Sequence, residues 1–172
     1  MSVTVKVGDV LAEPVDVLIC PANPWLNLSG GISGELLALA GPALQAELHE
    51  QLRLRGVAAL EPGTVVVSSA GPLPAGQVLH AVAIDVFYGS SVELVATTLR
   101  QALEMASELQ AKTVALPALA TGFGPLSMEE FTEALVRAIE SSPSNPLHLM
   151  VVLRSVENAA IVSEELARQQ SA

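Results

Sequence analysis

The sequence predicts a three-layer α/β/α sandwich built on a mixed, largely parallel central sheet. Three observations predict it. Short runs of Val, Leu and Ile alternate with helix-length segments whose apolar residues recur every third or fourth position. Hydrophobic residues make up 51% of the chain and aromatics only 3%, so the core must be assembled from aliphatic side chains. Such a core suits strands and helices packed in layers.

The elements follow in order. Residues 3–7 alternate weakly and read as a strand, and residues 15–20 form a β-branched run bounded by Pro14 and Pro21. A loop rich in Pro and Asn leads to a helix over 33–40, with Ser33 as its cap. Gly41-Pro42 interrupts it, and a second helix over 43–55 carries Leu44, Leu48 and Leu52 before a stop at Gly56. Residues 63–68 and 78–84 are strands separated by a Gly/Pro turn. Ser90 and Glu93 have capping-box spacing ahead of a helix that carries Val95, Leu99, Leu103 and Ala106 on one face. Residues 112–116 form a strand, and Ser127 and Glu130 form a second box. Its helix aligns Met128, Phe131, Leu135 and Ile139. A strand over 147–153 and a helix capped by Ser155 and running to about Arg168 complete the chain.

The 172 residues fit one domain over 1–172, without internal repeat or dividing linker. The 18 Asp and Glu outnumber the 8 Lys and Arg, for a net charge of −10. That balance, with no basic run, argues against a nucleic-acid polymer as partner, because such binding relies on cations neutralising phosphates. An isolated phosphate differs, since backbone amides can hold it locally. Cys20 is alone, which excludes an intrachain disulfide, and it ends a buried strand, so it reads as a small hydrophobe rather than a nucleophile. The start of the chain lacks a signal-like apolar run, and no stretch of about 18 apolar residues offers a membrane span. A cytoplasmic location is therefore expected. His49, His80 and His148 have no metal-ligand spacing with Cys20, so neither a metal site nor a cofactor is expected. His80 reads as a hydrogen-bonded core residue, the other two as solvated.

In such sheets ligands sit at the carboxyl ends of strands. Two glycine-rich loops occupy that position, at 29–34 and 121–125. Each leaves a strand region and enters a helix, so amides and helix dipole point into the loop. The second resembles the start of a dinucleotide fingerprint, but Ser127 replaces the third glycine. No Gly-Lys-Ser/Thr occurs, which excludes a P-loop.

Read together, these residues resemble the macro domain family, whose members bind ADP-ribose. Gly8-Asp9-Val10 matches the family's Gly-Asp-Ile, and the run from Asp16 to Asn23 its Asp-Ala-Ile-Val-Asn-Ala-Ala-Asn. Gly30-Gly31-Ile32 matches the tail of its glycine loop, Ala40-Gly41-Pro42 its Ala-Gly-Pro, and Pro62-Gly63-Thr64-Val65 and Val78-Leu79-His80-Ala81 its next two strands. The run from Pro117 to Gly122 matches its Pro-Ala-Ile-Ser-Thr-Gly. The resemblance covers nearly the whole chain and keeps the family's order.

The resemblance implies roles. Asp9 would accept from the adenine amino group with the Val10 amide nearby. Gly30, Gly31, Ile32 and Ser33 on one side, and Thr121, Gly122, Phe123 and Gly124 on the other, would border the diphosphate. Asn23 would bond the distal ribose, and Phe123 would lie over it. Asn23 is also the candidate catalytic residue if the chain is an enzyme. Two departures stand out. Many hydrolytic members carry Asp directly after the loop's Gly-Val, where this chain has Ser33, and serine is no general base without an activating partner. Glu35 lies two positions further on and is expected to point elsewhere. Where an aromatic often stacks on adenine, Leu153-Arg154 stands, so either Leu153 packs on the base or Arg154 stacks on it. The expectation is a reader of ADP-ribose or an ADP-ribosylated target. The alternatives are a hydrolase of ADP-ribosyl esters or ADP-ribosylated protein, a phosphatase of ADP-ribose-1''-phosphate, and an interaction module that has lost its ligand.

Overall fold

The computed structural model describes residues 1–142 and 146–170, the last two by backbone alone. The strands are β1 (Ser2–Val7), β2 (Val17–Pro21), β3 (Val65–Ser69), β4 (Gln77–Ala81), β5 (Thr113–Leu116) and β6 (His148–Leu153). The helices are α1 (Gly31–Ala40), α2 (Pro42–Arg55), α3 (Val92–Glu108), α4 (Met128–Glu140) and α5 (Val156–Gln170). The sheet order is β1-β6-β5-β2-β4-β3. Only the β3–β4 pair is antiparallel; the other four pairings are parallel. The mixed, largely parallel sheet expected from the alternation is present.

Burial on both faces explains the composition of the strands. Along β2, Val17 and Ile19 enter one apolar layer while Leu18 and Cys20 enter the other. The first layer is closed by Val95, Leu99 and Leu103 of α3, Phe131 and Leu135 of α4, and Val162 of α5. The second is closed by Leu36 of α1 and by Leu44, Leu48 and Leu52 of α2. These stripes are the ones the helical spacing marks out.

Several boundaries move. Helix α1 starts at Gly31 rather than Ser33, with Gly30 at the N-cap and no side-chain cap. Strand β4 ends at Ala81, short of residue 84, because the Ala83 amide bonds back to the Ala81 carbonyl at 3.0 Å and turns the chain. The box read at Ser90 does not form. Ser90 Oγ donates to the Ala83 carbonyl at 2.6 Å, and Ser91 caps α3 by accepting from the Leu94 amide at 3.1 Å. The Ser127–Glu130 box forms in full. A short 3₁₀ turn over Val10–Ala12, which periodicity does not announce, follows β1.

Candidate functional site

Because β1, β6, β5, β2 and β4 run parallel, their carboxyl ends share one edge of the sheet. The chain therefore delivers Asp9, Arg154, the second glycine loop, the first glycine loop and the turn after β4 to that edge in spatial order.

The first loop is shaped by backbone that only glycine adopts without strain. Gly30 has φ +70° and Gly31 φ +51°, and together they bend the chain into α1. The leading N–H groups of α1, at Gly31, Ile32 and Ser33, have no intrahelical acceptor. No side chain caps them by a hydrogen bond, so the positive end of the helix dipole is left without a capping partner. The loop is braced from α2. Gln45 accepts the Leu28 amide at 2.7 Å and donates to the Leu26 carbonyl at 2.8 Å, and His49 Nε2 lies 2.9 Å from Asn27 Oδ1. His49 is exposed, as its position suggested, and it also anchors the loop. The Gln45–His49 spacing of one helical turn was the signal available for this role.

The second loop leaves β5, turns through Ala120 at φ +59°, and closes with the Leu126 amide on the Ala120 carbonyl at 3.0 Å. Its two glycines serve different ends. A Cβ on Gly124 would meet Ala120 O at 2.5 Å, so the turn itself needs glycine there. A Cβ on Gly122 meets nothing within 4 Å. Gly124→Ala is therefore expected to force the loop open and to cost roughly 1–3 kcal/mol, the usual range for overpacking. Thermal unfolding would register this as a lowered midpoint.

Phe123 joins the two loops. A Cβ on Gly30 would stand 3.0 Å from its ring, and one on Gly31 would stand 3.6 Å away. Phe123 is 70% exposed, which rules out a core plug. Tyr88, from the turn after β4, packs against it with ring centroids 6.3 Å apart.

At the other end, Asp9 Oδ1 accepts the Leu11 amide at 3.0 Å and caps the 3₁₀ turn. Its second carboxylate oxygen keeps its acceptor capacity. Val10 is buried as the first residue of that turn. Leu153 turns into the core, so of the Leu153–Arg154 pair only Arg154 faces solvent. Arg154 Nη1 donates to Glu35 Oε1 at 2.8 Å and Nη2 to Glu35 Oε2, a two-point pair across the cleft. The guanidinium holds the Glu35 carboxyl below its ordinary range, and Glu35, with a smaller contribution from Asp9, raises that of Arg154. Glu35 does point elsewhere, and its target is the residue proposed for adenine.

Ser33 and Asn23 are engaged locally. Ser33 Oγ donates to the Pro21 carbonyl at 2.7 Å, tying α1 to the end of β2. Asn23 Nδ2 donates to the Asn27 carbonyl at 2.8 Å, and its Oδ1 accepts the Asn27 amide at 3.1 Å. Each end of this amide retains capacity for one more bond. Burial pushes the Cys20 thiol up to about 12, so it stays neutral and inert. Among the described residues, no three His, Cys, Asp or Glu side chains gather as a metal site. No helix among them is long and apolar enough to cross a membrane. A depression of about 340 Å³ lies between α3 and α4, lined by Thr97, Arg100, Arg137 and Ser141 among others, and shares no residue with this cleft.

Residues 19–135 match the family model described as the macro domain. The chain belongs to the macro domain family. An O-acetyl-ADP-ribose deacetylase from Klebsiella pneumoniae is 34% identical over 169 residues, 95% of each chain. A macro domain-containing protein from Streptomyces nogalater is 33% identical over 83% of this chain and 80% of its own. Among solved structures, a mutant of the Oceanobacillus iheyensis macrodomain with ADPR superposes with TM-score 0.90 at 26% identity, covering 99% of this chain and 94% of its own. The macrodomain of the same organism with ADP gives TM-score 0.88 at 26% identity, over 98% of this chain and 92% of its own. The α/β/α sandwich of this macro domain is thus the fold of that bacterial structure.

Proposed function

We propose that this chain, as one unit over 1–172 in the cytoplasm, binds ADP-ribose or an ADP-ribosylated target in the cleft between its two glycine loops. The observation that carries this reading is the junction of the loops, with Phe123 against Gly30 and Gly31 and the uncapped start of α1 beside it. Amides of Gly30, Gly31, Ile32 and Ser33 and of Thr121, Gly122, Phe123 and Gly124 hold the diphosphate. They do so without a cation, which suits a chain of net charge −10 and leaves nucleic-acid polymers unsuited as partners. Asp9 takes the adenine amino group, with Val10 beside it. Arg154, oriented by Glu35, stacks on the base. Asn23 spends its remaining donor on the distal ribose. Isothermal calorimetry with ADP-ribose tests the reading. Heat that saturates with one ligand per chain supports it, and none at high micromolar concentrations overturns it.

Ester hydrolysis is the second reading, favoured by 34% identity to a deacetylase over almost the whole chain. It comes second because Ser33 donates its hydroxyl proton to Pro21 O and offers no base. Turnover would then rest on orientation of the ribose and of a substrate-bound water. Release of acetate from O-acetyl-ADP-ribose is expected to fall at least about tenfold in Asn23→Ala, the low end of what a lost positioning group costs. Equal rates in the two proteins would remove Asn23 from the reaction.

A further inference from the structure

Sheet order fixes where each part of a bound nucleotide lies. Asp9 follows β1, Arg154 follows β6 and the second glycine loop follows β5, with neighbouring strands about 5 Å apart. With the base at Asp9 and the diphosphate between the loops, the adenosine ribose falls at the β6 position between them. Arg154 stands there, leading into α5 on the first apolar layer. Glu35 reaches the same place from α1, which packs in the second layer. It lies one helical turn from Gly31, on the face that carries that leading amide. The pair engages both Nη1 and Nη2 of Arg154, one to each oxygen of Glu35. Both side chains are half-exposed, so the pair borders the groove and not the core.

Such a pair decides what the adenosine ribose can carry. A carboxylate oxygen that accepts one N–H keeps room for a second donor, which a hydroxyl supplies and a phosphate does not. A 2′-phosphate also brings nearly two negative charges near neutral pH. Arg154 could meet it only by leaving Glu35, and the released carboxylate would then stand beside the phosphate. Negative charge is already in excess at this end. Lys6 and Arg154 are the basic residues that β1 and β6 bring to it, and Lys6 is held by Glu13 at 2.7 Å as Arg154 is by Glu35. Asp9, and Glu157 in the first turn of α5, add two further carboxylates. In dinucleotide sites generally, an acidic residue meets a 2′-hydroxyl and an available arginine meets a 2′-phosphate. Here the arginine is taken. We infer that Glu35 is a specificity-determining residue that admits ADP-ribosyl groups with a free 2′-hydroxyl on the adenosine ribose and excludes those with a 2′-phosphate. The inference rests on the ADP-ribose reading and adds which ligands of that class are refused.

Calorimetry on the whole chain compares ADP-ribose with ADP-ribose 2′-phosphate, in wild type and in Glu35→Gln. Wild type is expected to prefer ADP-ribose by at least about tenfold, as one misplaced charge can impose. Glu35→Gln should strengthen binding of the 2′-phosphate, because it removes a repelling charge and frees the Arg154 fork for the phosphate. The same change should weaken ADP-ribose by no more than about fivefold, the scale of an exposed ion pair. A gain for one ligand beside a loss for the other is not what mere damage to α1 produces. A second measurement needs no variant. The wild-type preference should shrink as salt rises from about 0.05 M to about 1 M, since screening weakens repulsion between charges at the groove. Equal binding of the two ligands by wild type, a preference that salt leaves unchanged, or a proportional loss of both in Glu35→Gln overturns the inference and leaves the ADP-ribose reading standing. Binding of neither ligand by wild type overturns both.

Discussion

Gly122→Glu is expected to abolish ADP-ribose binding while leaving the protein folded. Nothing lies within 4 Å of a Cβ at Gly122, and its φ is not in the left-handed region, so a longer side chain meets no resistance from the protein. On the proposed reading, the amides around Gly122 face the diphosphate between the two loops. A carboxylate there fills the diphosphate position and adds a like charge to it. Roughly a hundredfold loss is expected, near 3 kcal/mol at ~1.4 kcal/mol per decade. Thermal unfolding should move by no more than about 2 °C, as for a surface substitution outside the core. Retained affinity in a folded variant would place the ligand elsewhere. The contrast with Gly124 sharpens the test, since alanine there collides with Ala120 O and should lower stability first.

The second large effect is on stability rather than binding. His80 is fully buried on β4, with Nε2 2.8 Å from Ser68 Oγ and no partner for Nδ1 among the described residues. Ser68 Oγ also donates to the Ser69 carbonyl at 3.0 Å, which makes it the acceptor of an Nε2–H proton. A second proton on the ring would sit on Nδ1 with nothing to receive it. Burial therefore lowers the His80 pKa from 6.5 to about 4, against a small opposing pull from the Glu47 carboxylate. The unfolded chain takes up this proton near pH 6.5 and the folded chain only near 4. Between those values the unfolded state holds more protons, so stability falls as the pH is lowered. The loss approaches about 3 kcal/mol at the bottom of the window, at 1.36 kcal/mol per pH unit. A fall in the unfolding midpoint of the order of 10 °C is expected between neutral pH and pH 4. His80→Gln should flatten the slope across that window. Should the variant fail to fold, the ring proton shifts of wild-type His80 report the same quantity, and titration near 6.5 would refute the account.

Much of the fold was legible because it rests on local periodicity. The stripes Leu44–Leu48–Leu52 and Val95–Leu99–Leu103 read as helix faces in sequence and close the two apolar layers in the structure. The Ser127 box was legible because its partners lie three residues apart. The box at Ser90 misled because Ser90 and Ser91 offer the same chemistry one residue apart, and only the nearby Ala83 carbonyl selects between them. The site was legible as a set of loops and opaque as a set of contacts. Glu35 and Arg154 are 119 positions apart, and His49 reaches Asn27 across 22. Pairings at such separations carry no local signal.

By itself, the sequence determined the layered α/β architecture, the two glycine loops at strand-to-helix junctions, and the lack of any basic run along the chain. Those are properties of neighbouring residues and of composition. Only the tertiary structure decided which glycine serves the fold and which leaves room, because that depends on atoms such as Ala120 O and the Phe123 ring. It likewise decided that Phe123 stands in solvent beside Tyr88, and that Ser33 and Asn23 are tied to Pro21 and Asn27. The parallel order of β1, β6, β5, β2 and β4 is the physical reason. It gathers the ends of distant segments along one edge, where contacts arise that no local pattern encodes.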